Sequence, residues 1–212
     1  MNSYSINERD YLVLGRNKEL NQKIKDERKE QILTHALRLF ATKGLAATKI
    51  SDIASASSMS QGLIYHYYRS KEDIFVELIS GAFEKINAAS LELERLPLSP
   101  PEKIRLALET LLQGLTDNED TGLYYLLIAV ATASEAIPDE AKKVISEKNT
   151  APYEVVTRII REGQRDGSLK NFDAEALALV FWTSIKGLAI HKATHREKFK
   201  APDPEILLSM FM

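Results

Sequence analysis

The chain has 212 residues, 44% hydrophobic side chains and a formal net charge of −2, which is apolar material enough for one large domain or a small and a medium one. It contains no cysteine, which excludes disulfides, thiolate metal sites and cysteine nucleophiles and fits a reducing compartment. The polar start MNSYSINERD lacks an apolar signal region, and the longest apolar run, Leu123 to Ala133, is too short to cross a bilayer, so a cytoplasmic protein with no membrane partner is expected.

Residues 1–27 carry five basic and five acidic side chains and little apolar periodicity, and read as an extension that is mobile or partly helical. A first helix is expected from about Asp26 to Lys43, because Ile32, Leu33, Ala36, Leu37 and Phe40 recur at helical spacing and Gly44 supplies a stop. Thr48 is placed to cap a second helix, Lys49 to about Ala56; Ser57 and Ser58 make a turn; Ser60 caps a third helix through Tyr68. Ser70-Lys71-Glu72-Asp73 then opens a long fourth helix to about Arg95. Pro97, Pro100 and Pro101 break the chain, and helical patterns follow at 102–116, 121–135, 139–148, 151–166, 173–195 and 203–212, punctuated by Pro138, Pro152, Gly167 and Pro202. No strand alternation or internal repeat interrupts them. The fold class is all-α.

Two short helices joined by a tight polar turn are the signature of a helix-turn-helix, so 28–72 is read as a three-helix DNA-binding domain and 73–212 as a helical body. Charge supports this division. From Arg28 to Lys71 seven basic residues face Glu30 and Asp52, a balance of +5, which leaves −7 for the remainder. A basic head on an acidic body orients on a polyanion by its head.

Ile50, Ile53, Ala54 and Ile64 are placed to pack the second and third helices against Phe40, while both helix N-termini present backbone N–H groups that favour phosphate oxygens. Thr48 can donate a hydroxyl to a phosphate, with Lys49 adding charge beside it. Ser60 opens the third helix, Gly62 lets it approach a duplex closely, and Gln61 can read a base edge, most naturally adenine. Tyr65 and Tyr67 offer hydroxyls to the DNA backbone, Lys71 completes the set from the next helix, and Tyr68 is assigned to the core.

The segment 32–79 resembles the TetR family of bacterial transcriptional regulators. The matching residues are Ile32-Leu33, Ala36-Leu37, Leu39-Phe40, Lys43-Gly44, Thr48, Asp52-Ile53-Ala54, Ser60, Gly62, Tyr65, Tyr67 and Ser70-Lys71-Glu72. The chain departs from the family where Ser58 replaces the usual turn glycine, so that residue must tolerate a strained backbone or the turn differs. It departs again where Gln61, Leu63 and His66 replace a lysine, a threonine and an arginine. Leu63 then touches a thymine methyl or merely packs, and His66 meets the DNA backbone.

The resemblance implies a homodimer with a DNA-reading head and a ligand-sensing, dimerising body. By it the chain represses from a palindromic double-stranded operator and is released by a small effector; a constitutive dimeric regulator without ligand, or an activator, are the alternatives. The stripe Leu177, Val180, Phe181, Ser184, Gly187, Leu188 and His191, with Leu207, Leu208 and Phe211, resembles the family's dimerisation pair. Phe83, Ile86, Leu108, Leu111, Leu112, Tyr124, Tyr125, Ile128, Ile159 and Trp182 are candidate walls of a pocket suited to a hydrophobic or aromatic ligand.

An enzyme is not expected, because no phosphate-cradling glycine loop or serine-nucleophile elbow occurs. His191 and His195 are four residues apart but lack a third ligand at matching spacing, so neither a metal nor a cofactor is expected.

Overall fold

Gly44 interrupts the first helix, α1 (Glu8–Ala47), with φ 80° and ψ 162°, a conformation that a Cβ disfavours. The computed structural model describes the backbone from Glu8 to Met212 and the side chains from Leu20 onward, Glu197 apart. The helix therefore starts well before the expected Asp26 and takes in most of the expected extension 1–27; residues 1–7 lie outside the described residues. Side chains from Leu20 to Arg28 are all exposed, so this part of the helix is held by local pairs rather than by packing. Gln22 donates to Asp26 at 2.9 Å and Lys23 sits 4.0 Å from Glu27, both at i,i+4 spacing.

Two short helices follow, α2 (Ile50–Ala56) and α3 (Gln61–Tyr67), then α4 (Lys71–Arg95) at the expected bounds. Ser60 and Ser70 cap α3 and α4, accepting the N–H of Leu63 at 3.2 Å and of Asp73 at 3.1 Å. The body continues with α5 (Pro100–Asp117), α6 (Glu119–Thr132), α7 (Asp139–Lys148), α8 (Ala151–Arg165) and α9 (Ala174–His195). A single 3-10 turn (Arg196–Lys198) leads to α10 (Pro204–Leu208), which stops short of the expected 203–212. Beyond Leu208 the backbone tightens into i,i+3 turns, the Met210 N–H donating to the Leu207 carbonyl at 3.1 Å and the Phe211 N–H to the Leu208 carbonyl at 2.9 Å, and the Phe211 carbonyl accepts the Lys170 N–H at 2.8 Å. No strand occurs among the described residues.

Two hydrophobic cores organise these helices. In the first, Phe40, Ile53, Ile64 and Ile74 are fully buried, and Phe40 meets Phe75 edge-on with ring centroids 5.5 Å apart. This core does not end at residue 72. It runs along α4 through Leu78 and Phe83 to Leu127 and Ile128 of α6 and Ile145 of α7. The second core joins α5, α8, α9 and α10 around Ile104, Leu108, Ile160, Phe181 and Phe211. Helix α6 serves both, and its Gly122 lies so close to α9 that an added Cβ would stand 2.8 Å from the Ala189 carbonyl oxygen.

Candidate nucleic-acid interface and body cavity

The turn between α2 and α3 is a Schellman motif. The Met59 N–H donates to the Ala54 carbonyl at 2.8 Å and the Ser58 N–H to the Ser55 carbonyl at 3.2 Å. That geometry demands a left-handed residue, and Ser58 supplies it at φ 55°. Of the two outcomes open to a chain without glycine there, the strained backbone is the one adopted. Ser57 reinforces the turn from inside, its buried hydroxyl donating to the Ile53 carbonyl at 2.8 Å.

With Ile50, Ile53, Ala54 and Ile64 committed to the first core, α3 turns its opposite side outward. Ser60, Gln61, Gly62, Tyr65 and His66 are exposed there, with Lys49 exposed at the start of α2. Leu63 and Tyr67 are half-buried, and Tyr67 packs on the core while meeting the His66 ring edge-on at 5.4 Å. Gly62 answers to no internal need: a Cβ there would meet only Ser60 Oγ, at 4.0 Å.

Two expected contacts are corrected. Thr48 is fully buried and donates its hydroxyl to the Gly44 carbonyl at 2.8 Å, so it staples the α1–α2 connection and is not presented to a phosphate. The cap of α2 is Lys49, whose N–H donates to the Asp52 carboxylate at 3.2 Å. The Lys71 ammonium is likewise consumed, donating to the carbonyls of Leu45, Ala46 and Thr48 at 2.8, 3.2 and 2.9 Å. Buried Lys103 and Lys192 do the same elsewhere, closing the ends of α4 and α5 on the carbonyls of Glu94 (2.8 Å) and of Leu115 and Asn118. Lys29, Arg38 and Lys43 are paired with Glu77, Asp120 and Asp52. Arg28, Lys49 and Arg69 make no ion pair among the described residues, so the positive charge offered outward is smaller than the sequence balance suggests.

In the body, a cavity of about 530 Å³ opens between α4, α5, α6, α8 and α9. Of the ten expected wall residues, Ile86, Leu111, Tyr125 and Trp182 line it. Phe83 and Ile128 border only a void of about 20 Å³ behind it, too small for a ligand. Leu108, Leu112 and Ile159 are corrected to solid core, buried among α5, α8 and α9. Tyr124 is corrected as well, because it turns to the first core and the Lys85 ammonium stands 6.0 Å from its ring centroid. Ala89, Ser90, Leu93, Ala107, Val156 and Phe181 were not expected to line the cavity. Ile86 and Leu93, seven residues apart on one face of α4, are the sequence signal that could have marked the α4 wall.

The expected interface stripe divides between two faces. Leu177, Phe181, Leu207, Leu208 and Phe211 are buried in the second core, so their assignment to a subunit surface is corrected. Val180, Gly187 and His191 face outward, with Ser184 and Leu188 half-exposed. The outward apolar face includes Leu179 at 53% exposure, Ile206 at 59% and Met210 at 41%, which the stripe had missed by one helical position. The His191 and His195 rings stack at 3.9 Å, and no third metal-ligating residue gathers around them among the described residues.

Residues 32–78 match the sequence profile of the bacterial regulatory proteins of the TetR family. The transcriptional regulator AcrR of Shigella flexneri is 33% identical over 172 residues, spanning 80% of this chain and 71% of its own. The transcriptional repressor KstR2 of Rhodococcus jostii is 27% identical over 166 residues, 78% of this chain and 79% of its own. Among solved structures, the regulator FadR of Bacillus subtilis in complex with stearoyl-CoA shares the fold with a TM-score of 0.65 at 19% identity, covering 85% of this chain and 96% of that one.

Proposed function

The chain belongs to the TetR family of bacterial transcriptional regulators, and from that premise we propose that it acts as a homodimeric repressor, released from a palindromic operator by a small apolar ligand. The observation that carries the DNA-reading part is the outward face of α3. Five neighbouring exposed residues, Ser60, Gln61, Gly62, Tyr65 and His66, stand on a helix whose other side is fixed in a core. A glycine inside a helix costs roughly 0.5–1 kcal/mol against alanine. With no internal contact to require Gly62, close approach of a duplex is the reason for it. Gln61 reads a base edge, while Lys49, Tyr65 and His66 position the head on phosphates.

Pairing uses the outward face of α9 and α10, where Leu179, Val180, Ile206 and Met210 leave apolar surface uncovered. Repression has its parallel in the Rhodococcus relative, a transcriptional repressor, and a body-bound ligand has its parallel in the stearoyl-CoA complex. Helix α4 links the two functions: Ile74, Phe75 and Leu78 sit in the first core, and Ile86, Ser90 and Leu93 border the cavity. A ligand that displaces α4 shifts the head with it, and a tenfold loss of DNA affinity needs only about 1.4 kcal/mol of differential binding.

Selection of duplexes from random DNA, followed by affinity measurements on the selected site and its single-base variants, tests this reading. Gln61→Ala is expected to cost about 1–3 kcal/mol on the selected site and to relax preference at one base pair. An equal loss on every sequence removes Gln61 from base reading, and failure to select any sequence removes the DNA-reading role.

A further inference from the structure

The polar groups along the body cavity are few, and all but one are accounted for. The Ser90 hydroxyl donates to the Ile86 carbonyl at 2.8 Å, and the Trp182 indole N–H donates to the Pro152 carbonyl at 3.0 Å. Thr110, Lys85 and Glu92 are exposed at the rim, the last two of opposite charge. Tyr125 differs from all of these. It is 7% exposed and lines the cavity, and no hydrogen bond reaches its hydroxyl among the described residues. Burial pushes its ionisation up to about 12, so at neutral pH it is an intact O–H, able to donate and to accept. That hydroxyl is not fully enclosed, so it stays open to solvent or to an occupant, and in a lining otherwise apolar or self-satisfied it is the one polar group left to pair with whatever fills the cavity.

We propose that the cavity selects an uncharged, mainly apolar molecule bearing one oxygen that hydrogen-bonds the Tyr125 hydroxyl, in preference both to pure hydrocarbons and to carboxylate anions. The inference rests on the reading of the body as a ligand sensor. A hydrocarbon leaves the hydroxyl unpaired. A carboxylate loses its hydration in a lining whose one cation, Lys85, is exposed at the rim beside Glu92.

The test uses the full-length protein and three probes built on one ring system: naphthalene, 2-naphthol and 2-naphthoate. Dissociation constants come from calorimetry, with thermal melting as a check on folding. Wild type is expected to bind 2-naphthol about tenfold more tightly than naphthalene, and 2-naphthoate more weakly than either. Tyr125→Phe should bring 2-naphthol and naphthalene to similar affinity while leaving naphthalene binding unchanged, which also shows that the variant is folded. A variant that keeps the preference for 2-naphthol overturns the assignment to Tyr125, and tightest binding of 2-naphthoate by wild type overturns the ligand class. Should none of the three bind, the sensor reading falls and this inference with it.

Discussion

Between Arg28 and Lys71 the one large hydrophobic side chain exposed is Tyr65, whereas the body leaves Leu106, Phe172, Leu179, Ile206 and Met210 uncovered. The head thus leaves little apolar surface uncovered and offers polar groups on short helices. The body still carries apolar surface along a cavity and on one outer face. Under the proposed function, that surface is where a ligand and a second subunit make contact. Two kinds of partner are implied by this difference: a polar polyanion for the head, apolar molecules or surfaces for the body.

The contrast in surfaces conceals a shared interior, and the largest expected effect tests it. Phe40 is fully buried in the core that runs from α1 through α4 into α6 and α7. Phe40→Ala should cost about 3–5 kcal/mol. Because one core spans both regions, denaturant unfolding followed by Trp182 fluorescence in the body should shift together with helix loss by circular dichroism. A separate early transition that leaves the Trp182 signal unchanged would divide the molecule at residue 72 after all.

Lysine chemistry sharpens the comparison next. Lys71 lies in the head yet behaves like the buried Lys103 and Lys192 of the body, spending its protons on helix-terminal carbonyls. Lys71→Ala is therefore expected to lower stability by about 1–3 kcal/mol, by orphaning those carbonyls. The salt dependence of DNA binding should stay as it was. Lys49→Ala should do the reverse, leaving stability alone and reducing the slope of log affinity against log salt by about 1. A reduced slope in the Lys71 variant would return that residue to the phosphates.

These two lysines also show what a sequence makes legible. Caps and stops are local, so Gly44, Ser60, Ser70 and the bounds of α4 could be read from a few neighbours. The direction of Lys71 depends on carbonyls more than twenty residues away, and Thr48 on a hydroxyl bond across a non-helical glycine. In the body some helices carry apolar residues on more than one side, as α9 does with Phe181 inside and Leu179 and Val180 outside. Leu108 and Leu111 both satisfy helical spacing, and only the packing of α5 against α8 decides that the first is core and the second borders the cavity. The same ambiguity moved Phe181 from an outer face to the inside of the molecule. The part of α1 just before Asp26 was missed for a different reason: from Leu20 to Arg28 its side chains are exposed and pair locally, Gln22 with Asp26 and Lys23 with Glu27, which leaves no apolar stripe to detect.

The backbone offers a smaller and more local test, because one motif closes a helix in each region. At the end of α8 the Ser168 N–H donates to the Gly163 carbonyl at 2.8 Å and Gly167 holds the left-handed position at φ 77°. At the end of α2 Ser58 holds the equivalent position at φ 55°. Replacing Ser58 with glycine should stabilise the head by about 0.5–1 kcal/mol, the left-handed strain of an L-residue less the entropy that glycine loses on folding. The melting temperature of the S58G variant checks this, and a decrease would mean that the serine side chain contributes more than its backbone costs.

The smallest expected effect belongs to the body alone. Arg158 donates to both carboxylate oxygens of Glu94, at 2.6 and 2.9 Å, and holds the Glu94 pKa below its ordinary value. A carboxylate whose pKa is lowered by folding stabilises the native state above its unfolded pKa, near 4.3, and loses that contribution as pH falls through the folded value. Both side chains are partly solvated, so the pair contributes about 0.2–1 kcal/mol at neutral pH. Arg158→Ala should return Glu94 to the ordinary carboxylate range in an NMR titration and flatten the acid limb of the stability curve by that small amount. Arg158 also lies on the rims of two open surface clefts outside the apolar cavity, so ligand affinity there should not change with it. An altered affinity for 2-naphthol in this variant would mean that charge on α8 reaches the cavity, and the division between a polar head and an apolar sensing body would be less sharp than the surfaces make it.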